Sequence, residues 1–410
     1  MKRILAWKSL VSRKKTVILT CLSLIVSISV LMTVEHLRAQ AKDSFNRTIS
    51  GTDLIVGAPS GELNLLLYTV FRMGSPTNNI QFDSLDMLNK QKSVSWTIPL
   101  SLGDSHKGYR VLGTNQDYFE HFKYGDKRSL SFSEGEHFDD LFDVVIGAEV
   151  AKALNYSLGD KLVIAHGIGS TSFQNHDNAP FTVAGILQPT GTPVDKTVHV
   201  SLEAIEAIHL APAQLTRLIE QGRMDLLKPK NITGVLVGLE NKFATFSLQR
   251  MINNYPDDRL MAVLPGVAMT QMWSLMESVE NLLMVISLLV LLASLFGLMT
   301  MLLASMNERS VEIAVLRTLG ASPLTVLLLI VYEALLITAL SVVAAYALVS
   351  LALVSLSDWL AQQYGLFLSS NLYSMNVLIL VGFIFIAALV AAIVPAIEAY
   401  RKALQVQLSA

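Results

Sequence analysis

The sequence predicts an α-helical membrane protein with four transmembrane helices and a large α+β extracytoplasmic domain between helices one and two. Three observations predict it. Of 410 residues, 52% are hydrophobic and only 16% charged, well short of the ~25% typical of a soluble domain. Four stretches are apolar over the ~20 residues a helix needs to cross a bilayer. Lys and Arg gather on one side of those stretches, the side that faces the cytoplasm in multi-pass proteins.

Each element follows in chain order. Residues 1–15 carry Lys2, Arg3, Lys8, Arg13, Lys14 and Lys15 and no acid. With Ile4, Leu5, Trp7, Leu10 and Val11 they read as a cytoplasmic amphipathic helix at the interface. The first span, 16–34, is uncharged, as is the core of the second, 281–305. The third, 324–350, is interrupted only by Glu333, and the fourth covers 377–398. The loop 306–323 holds Arg309 and Arg317, and the tail 399–410 holds Arg401 and Lys402. The loop 351–376 has neither Lys nor Arg. Both termini and the 306–323 loop are therefore expected in the cytoplasm, and residues 35–280 outside. A cleaved signal peptide competes at the N-terminus, with Ala39-Gln40-Ala41 as its small-x-small site. The apolar run is too long for a signal core, and Glu35-His36-Leu37-Arg38 puts charge ahead of the site, so a retained anchor is expected. Cys21 lies well inside that run, which disfavours lipoprotein cleavage, and a single thiol allows no internal disulfide.

The domain begins as a helix leaving the membrane (35–50), then a strand (53–56) and the turn Gly57-Ala58-Pro59-Ser60-Gly61. That glycine-containing turn lacks the Lys-Ser/Thr of a phosphate-binding loop. A helix is expected over 63–73, and again over 148–154, 201–208, 212–221 and 243–254. Strands are expected at 93–100, 109–112, 143–146, 161–165, 181–187, 197–200 and 232–237. The helix-rich stretch 201–230 suggests two lobes.

Catalytic chemistry finds no support. His106, His121, His137, His166, His176, His199 and His209 show no H-x-x-x-H or H-E-x-x-H spacing, so no metal site is expected. Asp139, Asp140 and Asp143 near His137 read as a solvated acidic loop, the alternative being a cation site. No G-x-S-x-G occurs, and a net charge of −2 gives no pull towards nucleic acid.

The most informative segment is Asn307–Pro323, NERSVEIAVLRTLGASP. Glu308, Arg309, Glu312 and Arg317 alternate with Val311, Ile313, Leu316 and Leu319, as in a short helix along a membrane surface. Gly320 suits a helix C-terminus, and Ser322-Pro323 suits the cap and first turn of the third span. On physics alone it could be a plain connector.

The string closely resembles the cytoplasmic signature of the MacB/LolC/LolE/FtsX permease family, E-R-x-x-E-I-x-x-L-(R/K)-x-x-G-(A/M)-x. The β-rich stretch 144–200 and the ending Val394-Pro395-Ala396 to Ala403 also resemble that family. The resemblance implies an ABC permease whose coupling helix docks on an ATPase through Glu308, Arg309, Glu312, Ile313, Leu316, Arg317 and Gly320. No G-x-x-x-x-G-K-[ST] occurs in this chain, so ATP and Mg would sit on a separate ATPase subunit, and no cofactor is expected here. A second permease copy or a paralogue, and a periplasmic adaptor or partner protein, are further implied, as is the bacterial inner membrane. Export or release of a substrate would follow, the rival being an ATP-independent receptor or scaffold with a ligand-binding outer domain.

Glu333 is a candidate functional group at membrane depth, with a hydrogen bond to a neighbouring helix as the structural alternative. Ala293 and Gly297, at i and i+4, are candidate dimer contacts.

Overall fold

A computed structural model describes residues 13–166, 179–308, 315, 321–364 and 371–408. Two compact units form, one within 1–41, 277–361 and 368–410 and the other centred on 42–276.

The first unit is built from long helices. Lys14–Thr48, Pro265–Glu308, Pro323–Tyr364 and Met375–Leu408 each contain a stretch long and apolar enough to span a membrane. The third runs on to Tyr364, past the expected end near 350, because Ser350–Tyr364 contains neither Gly nor Pro to stop it. Leu24, Ile28, Leu31, Leu291, Leu295, Ile330, Ile337 and Ile384 pack together inside. Leu19, Val26, Phe296, Val343, Leu351 and Ile386 face outwards. Such apolar exposure is what lipid contact demands. Lipid tails are as apolar as leucine, so small residues must draw the helices together. Ala388, Ala392 and Ala396, all buried on the fourth helix, are such a stripe.

The second unit is α/β. Among the described residues its strands are β1 (Leu54–Gly57), β2 (Ile80–Gln81), β3 (Val94–His106), β4 (Tyr109–Thr114), β5 (Lys123–Tyr124), β6 (Arg128–Ser129), β7 (Phe132–Gly135) and β8 (Asp143–Ile146). They continue with β9 (Lys161–Leu162), β10 (Ala165–His166), β11 (Phe181–Leu187), β12 (Thr197–Ser201), β13 (Asn231–Ile232), β14 (Gly234–Leu239) and β15 (Met261–Val263). One sheet runs β15-β1-β14-β3-β4-β12-β8-β11-β7, with β10 beside β3 and β9 beside β11. Most pairs are antiparallel, but β12 lies parallel to β4, and β11 to β8. Several strands are buried on both faces, so they read as unbroken apolar runs such as Val144-Val145-Ile146.

The helix-rich stretch 201–230 lies between β12 and β13. Along the sheet, β3 changes partner. Its first half pairs with β14 (Leu100 opposite Gly234) and its second with β4 (Ser101 opposite Gly113). Helix Glu62–Thr69 and helix Asp117–His121 cover one face through Leu65, Leu66, Tyr118 and Phe119. Helix Thr245–Asn253 covers β1 and β14 on the other through Leu248 and Ile252. Val150, Ala204, Ile205 and Ile208 close a third core over β8, β11 and β12.

Local details differ from expectation for identifiable reasons. The helix expected over 63–73 ends at Thr69, and Arg72 takes a left-handed backbone at φ 58°. The strand expected over 161–165 breaks in two because β9 pairs with β11 while β10 crosses to β3. The turn after β1 is as expected, with Gly61 at φ 95°, a conformation that glycine adopts at no steric cost.

Candidate functional site

Of the expected coupling residues, Arg309, Glu312, Ile313, Leu316, Arg317 and Gly320 lie outside the described residues, as do residues 1–12. Glu308 closes the helix Pro265–Glu308, and its side chain is likewise outside them. The C-terminal flank of the segment is built as the sequence suggests. The Thr325 amide donates to Ser322 Oγ at 3.3 Å, and Pro323 opens the third helix. A capping hydroxyl of this kind satisfies one of the helix's orphan donors.

Within the membrane unit, polar contacts join the first and second helices. Deep in the apolar stretch, Ser23, Ser27 and Ser294 form a hydroxyl cluster. Ser294 Oγ lies 3.2 Å from Ser23 Oγ and in short contact with Ser27 Oγ, and it donates to the Ser23 carbonyl at 3.3 Å. At one rim, Arg38 Nε donates to Glu280 Oε2 at 2.8 Å. Glu35, three residues before Arg38, accepts from Asn376 Nδ2 of the fourth helix at 3.0 Å. None of these residues stood out by motif. The signal available was only that each borders or interrupts an apolar run.

Glu333 is 1% exposed, on the inward face of the third helix with Ile330, Ala334 and Ile337. Ala293 and Gly297 lie on the outward face of the second helix, and a Cβ at Gly297 would meet nothing within 4 Å. Small residues that are buried within the chain include Ala388, Ala392 and Ala396 of the fourth helix.

The α/β unit holds a buried polar cluster under its aromatic core. The Arg72 guanidinium donates to the Thr69 carbonyl and reaches the Tyr118 hydroxyl at 3.5 Å. His199 lies against Tyr118, ring centroids 5.1 Å apart, and its Nδ1 contacts the Val145 carbonyl at 3.2 Å. Burial, and then the nearby Arg72 charge, push the His199 imidazole down to about 3, so it is neutral across physiological pH. Burial also pushes the Asp195 carboxyl up, against the lowering effect of its bonds from the Thr190 and Gly191 amides and the Thr190 hydroxyl. Arg72, Tyr118 and His199 contact one another, Asp195 is held by Thr190 and Gly191, and all four are buried and read as core.

The acidic loop resolves into local structure. Asp143 Oδ2 accepts the amides of Asp139 and Asp140, and Asp139 Oδ1 is 3.2 Å from His137 Nδ1. Asp117, Glu120 and His121 also come together on one short helix, with His121 stacked on Trp96 at 5.6 Å. All three are solvent-facing or nearly so, an arrangement common without any ion. Open clefts indent the domain. One, about 460 Å³, lies between helix Ala148–Leu154 and β7, and one of about 550 Å³ surrounds Asp257–Arg259.

The architecture defines a multi-pass membrane protein with a large extracytoplasmic domain inserted after its first span. Comparison with known families gives the finer placement. The model of the MacB-like periplasmic core domain matches residues 17–254, more than half of the chain, and that of the FtsX-like permease C-terminal region matches 284–404. The chain belongs to the MacB/FtsX-like family of ABC-transporter permeases. No curated protein matches it. Among solved structures, the extracellular domain of the noncanonical ABC-type transporter YknZ from Gram-positive bacteria is similar at 15% identity. That match covers 52% of this chain and 99% of the other, with a TM-score of 0.30.

Proposed function

We propose that this chain is the permease subunit of an ABC system of the bacterial inner membrane whose ATPase is a separate polypeptide. In this reading it is not itself an enzyme: it transmits ATP-driven movement to its extracytoplasmic domain, for export or release of a periplasmic or membrane substrate. The observation that carries the reading is the joint occurrence of both family matches with the ERSVEIAVLRTLG string in the connector between the second and third spans. Glu308, Arg309, Glu312, Ile313, Leu316, Arg317 and Gly320 would meet the ATPase, which holds the ATP and Mg. Ala293 and Gly297, both outward-facing, would meet a second copy or a paralogue, since small residues allow two helices to approach closely. Glu333, buried on an apolar face, would anchor the third helix within the bundle.

Gentle purification of the tagged chain from its native membrane tests this. A nucleotide-binding subunit should accompany the native chain and be lost when Glu308, Arg309 and Glu312 are replaced by Ala. Retention of the ATPase by the triple variant would remove the coupling role from these residues. Absence of any ATPase beside otherwise intact complexes would leave an ATP-independent receptor as the better reading.

A further inference from the structure

Four polar residues at one rim of the membrane unit do more than border the apolar runs. Glu35 and Arg38 follow the uncharged run of the first helix, Glu280 precedes that of the second, and Asn376 precedes that of the fourth. The helices thus present them at one level, and the side chains meet there. Arg38 Nε–Glu280 Oε2 is 2.8 Å, Arg38 Nη1–Glu35 Oε2 is 3.8 Å, and Asn376 Nδ2–Glu35 Oε1 is 3.0 Å. The Glu35 carboxylate is buried and lies against Asn376 in the first turn of the fourth helix, which Ser374 Oγ begins by accepting the Val377 amide at 3.3 Å. A negative charge is favoured at a helix N-terminus. Arg38, by contrast, is 45% exposed in its side chain, so it lies at the water edge, where an ion pair can exchange with solvent.

We infer that Arg38 and Glu35 form a collar that holds the outer ends of the first, second and fourth spans together, so that movement of one span is delivered to the others. This rests on the permease reading for its purpose, though its geometry stands apart from that reading. Arg38 and Glu280 are positioning residues in this role. An exposed pair of this kind contributes little to global stability, so its removal leaves the chain folded and changes only how the helix ends move.

The test uses the full chain in lipid nanodiscs, with Cys21→Ser and spin labels placed in pairs at outward-facing positions. Val30 with Val285 reports the rim half, and Leu19 with Phe296 reports the other half as control. Arg38→Gln and Glu280→Gln should each widen the distance distribution of the rim pair and leave the control pair unchanged. The double variant should be no worse than Arg38→Gln alone, because Glu280 loses its only collar partner once Arg38 is gone. Additive widening, or no widening, overturns the collar. In complex with the co-purified ATPase, ATP should shift both label pairs in the native chain but only the control pair in Arg38→Gln. An equal shift at both pairs in the variant overturns the collar while leaving the permease reading intact. If no ATPase binds at all, the permease reading fails, and the rim widths still decide the collar.

Discussion

His199 offers the sharpest test of how the extracytoplasmic domain is held together. Its imidazole is enclosed by Tyr118 and Phe119 and lies near the Arg72 guanidinium, so the charged form is penalised twice. The folded-state value of about 3 lies below the ordinary 6.5. Between those values the unfolded chain binds a proton that the folded chain rejects. The stabilisation is therefore complete above pH ~6.5 and is lost as pH falls towards the folded value, at up to ~1.4 kcal/mol per pH unit. Between pH 6.5 and 4.5 the linkage relation gives a loss of about 2 kcal/mol from this residue.

His199→Phe keeps a ring in the aromatic cluster but gives up the contact with the Val145 carbonyl. It should cost ~1 kcal/mol at neutral pH, the usual net value of one hydrogen bond, and should remove the part of the acid slope that His199 contributes. Hydrogen exchange of the β12 amides in the full-length protein, corrected for intrinsic rates, reads both effects. Asp195, whose carboxyl is raised, opposes the slope: its contribution is lost as pH rises through the raised value and returns as pH falls. It is present in both proteins, so the difference between them isolates His199. A wild-type and variant with equal slopes would refute the reasoning, since the His199 proton would then not be linked to folding.

Two other substitutions probe different links of the argument. Ser294→Ala removes the hydroxyl that joins the first and second helices at Ser23 and Ser27. Hydrogen bonds between membrane helices average ~0.6 kcal/mol and reach ~1.7, so a loss of about 1 kcal/mol is expected in a detergent unfolding titration; no change would mean the cluster is incidental. Gly147→Ala would drive a Cβ into the Val194 and Asp195 carbonyl oxygens, which belong to backbone and cannot swing aside. Overpacking of this sort costs ~1–3 kcal/mol, visible as faster exchange of β8 and β12 amides, whereas unchanged exchange would show that this loop yields easily.

The sequence made the four spans legible because apolar run length is a local property. The strands Asp143–Ile146 and Phe181–Leu187, and the helix Ala148–Leu154 between them, were legible for the same reason. What stayed hidden depends on partners far along the chain. Ala293 and Gly297 share the spacing of Ala388 and Ala392, yet only the second pair is buried within the chain. Spacing names a helix face and says nothing of what lies opposite. The strand expected over 93–100 runs on to His106, because its second half pairs with β4 after its first half has paired with β14, and the Pro99 carbonyl takes the Thr114 hydroxyl at 2.8 Å. Arg38 and Glu280 are separated by 242 residues. Only the fold brings them together.

The two contacts between the first and second helices differ in kind, and the difference bears on how the pair would carry movement. The serine cluster lies among apolar residues, where a broken hydrogen bond has no water to replace it. It therefore holds through small displacements and binds the two helices into one stiff body. The Arg38–Glu280 pair lies where solvent competes, so its partners can exchange at little cost. A stiff middle with an exchangeable end lets a force enter along the helices without shearing them, while the end adjusts to whatever the helices carry. Reversing the placement, with the exchangeable pair in the middle and the hydroxyls in water, would let the helices slide past each other before any movement reached the far side.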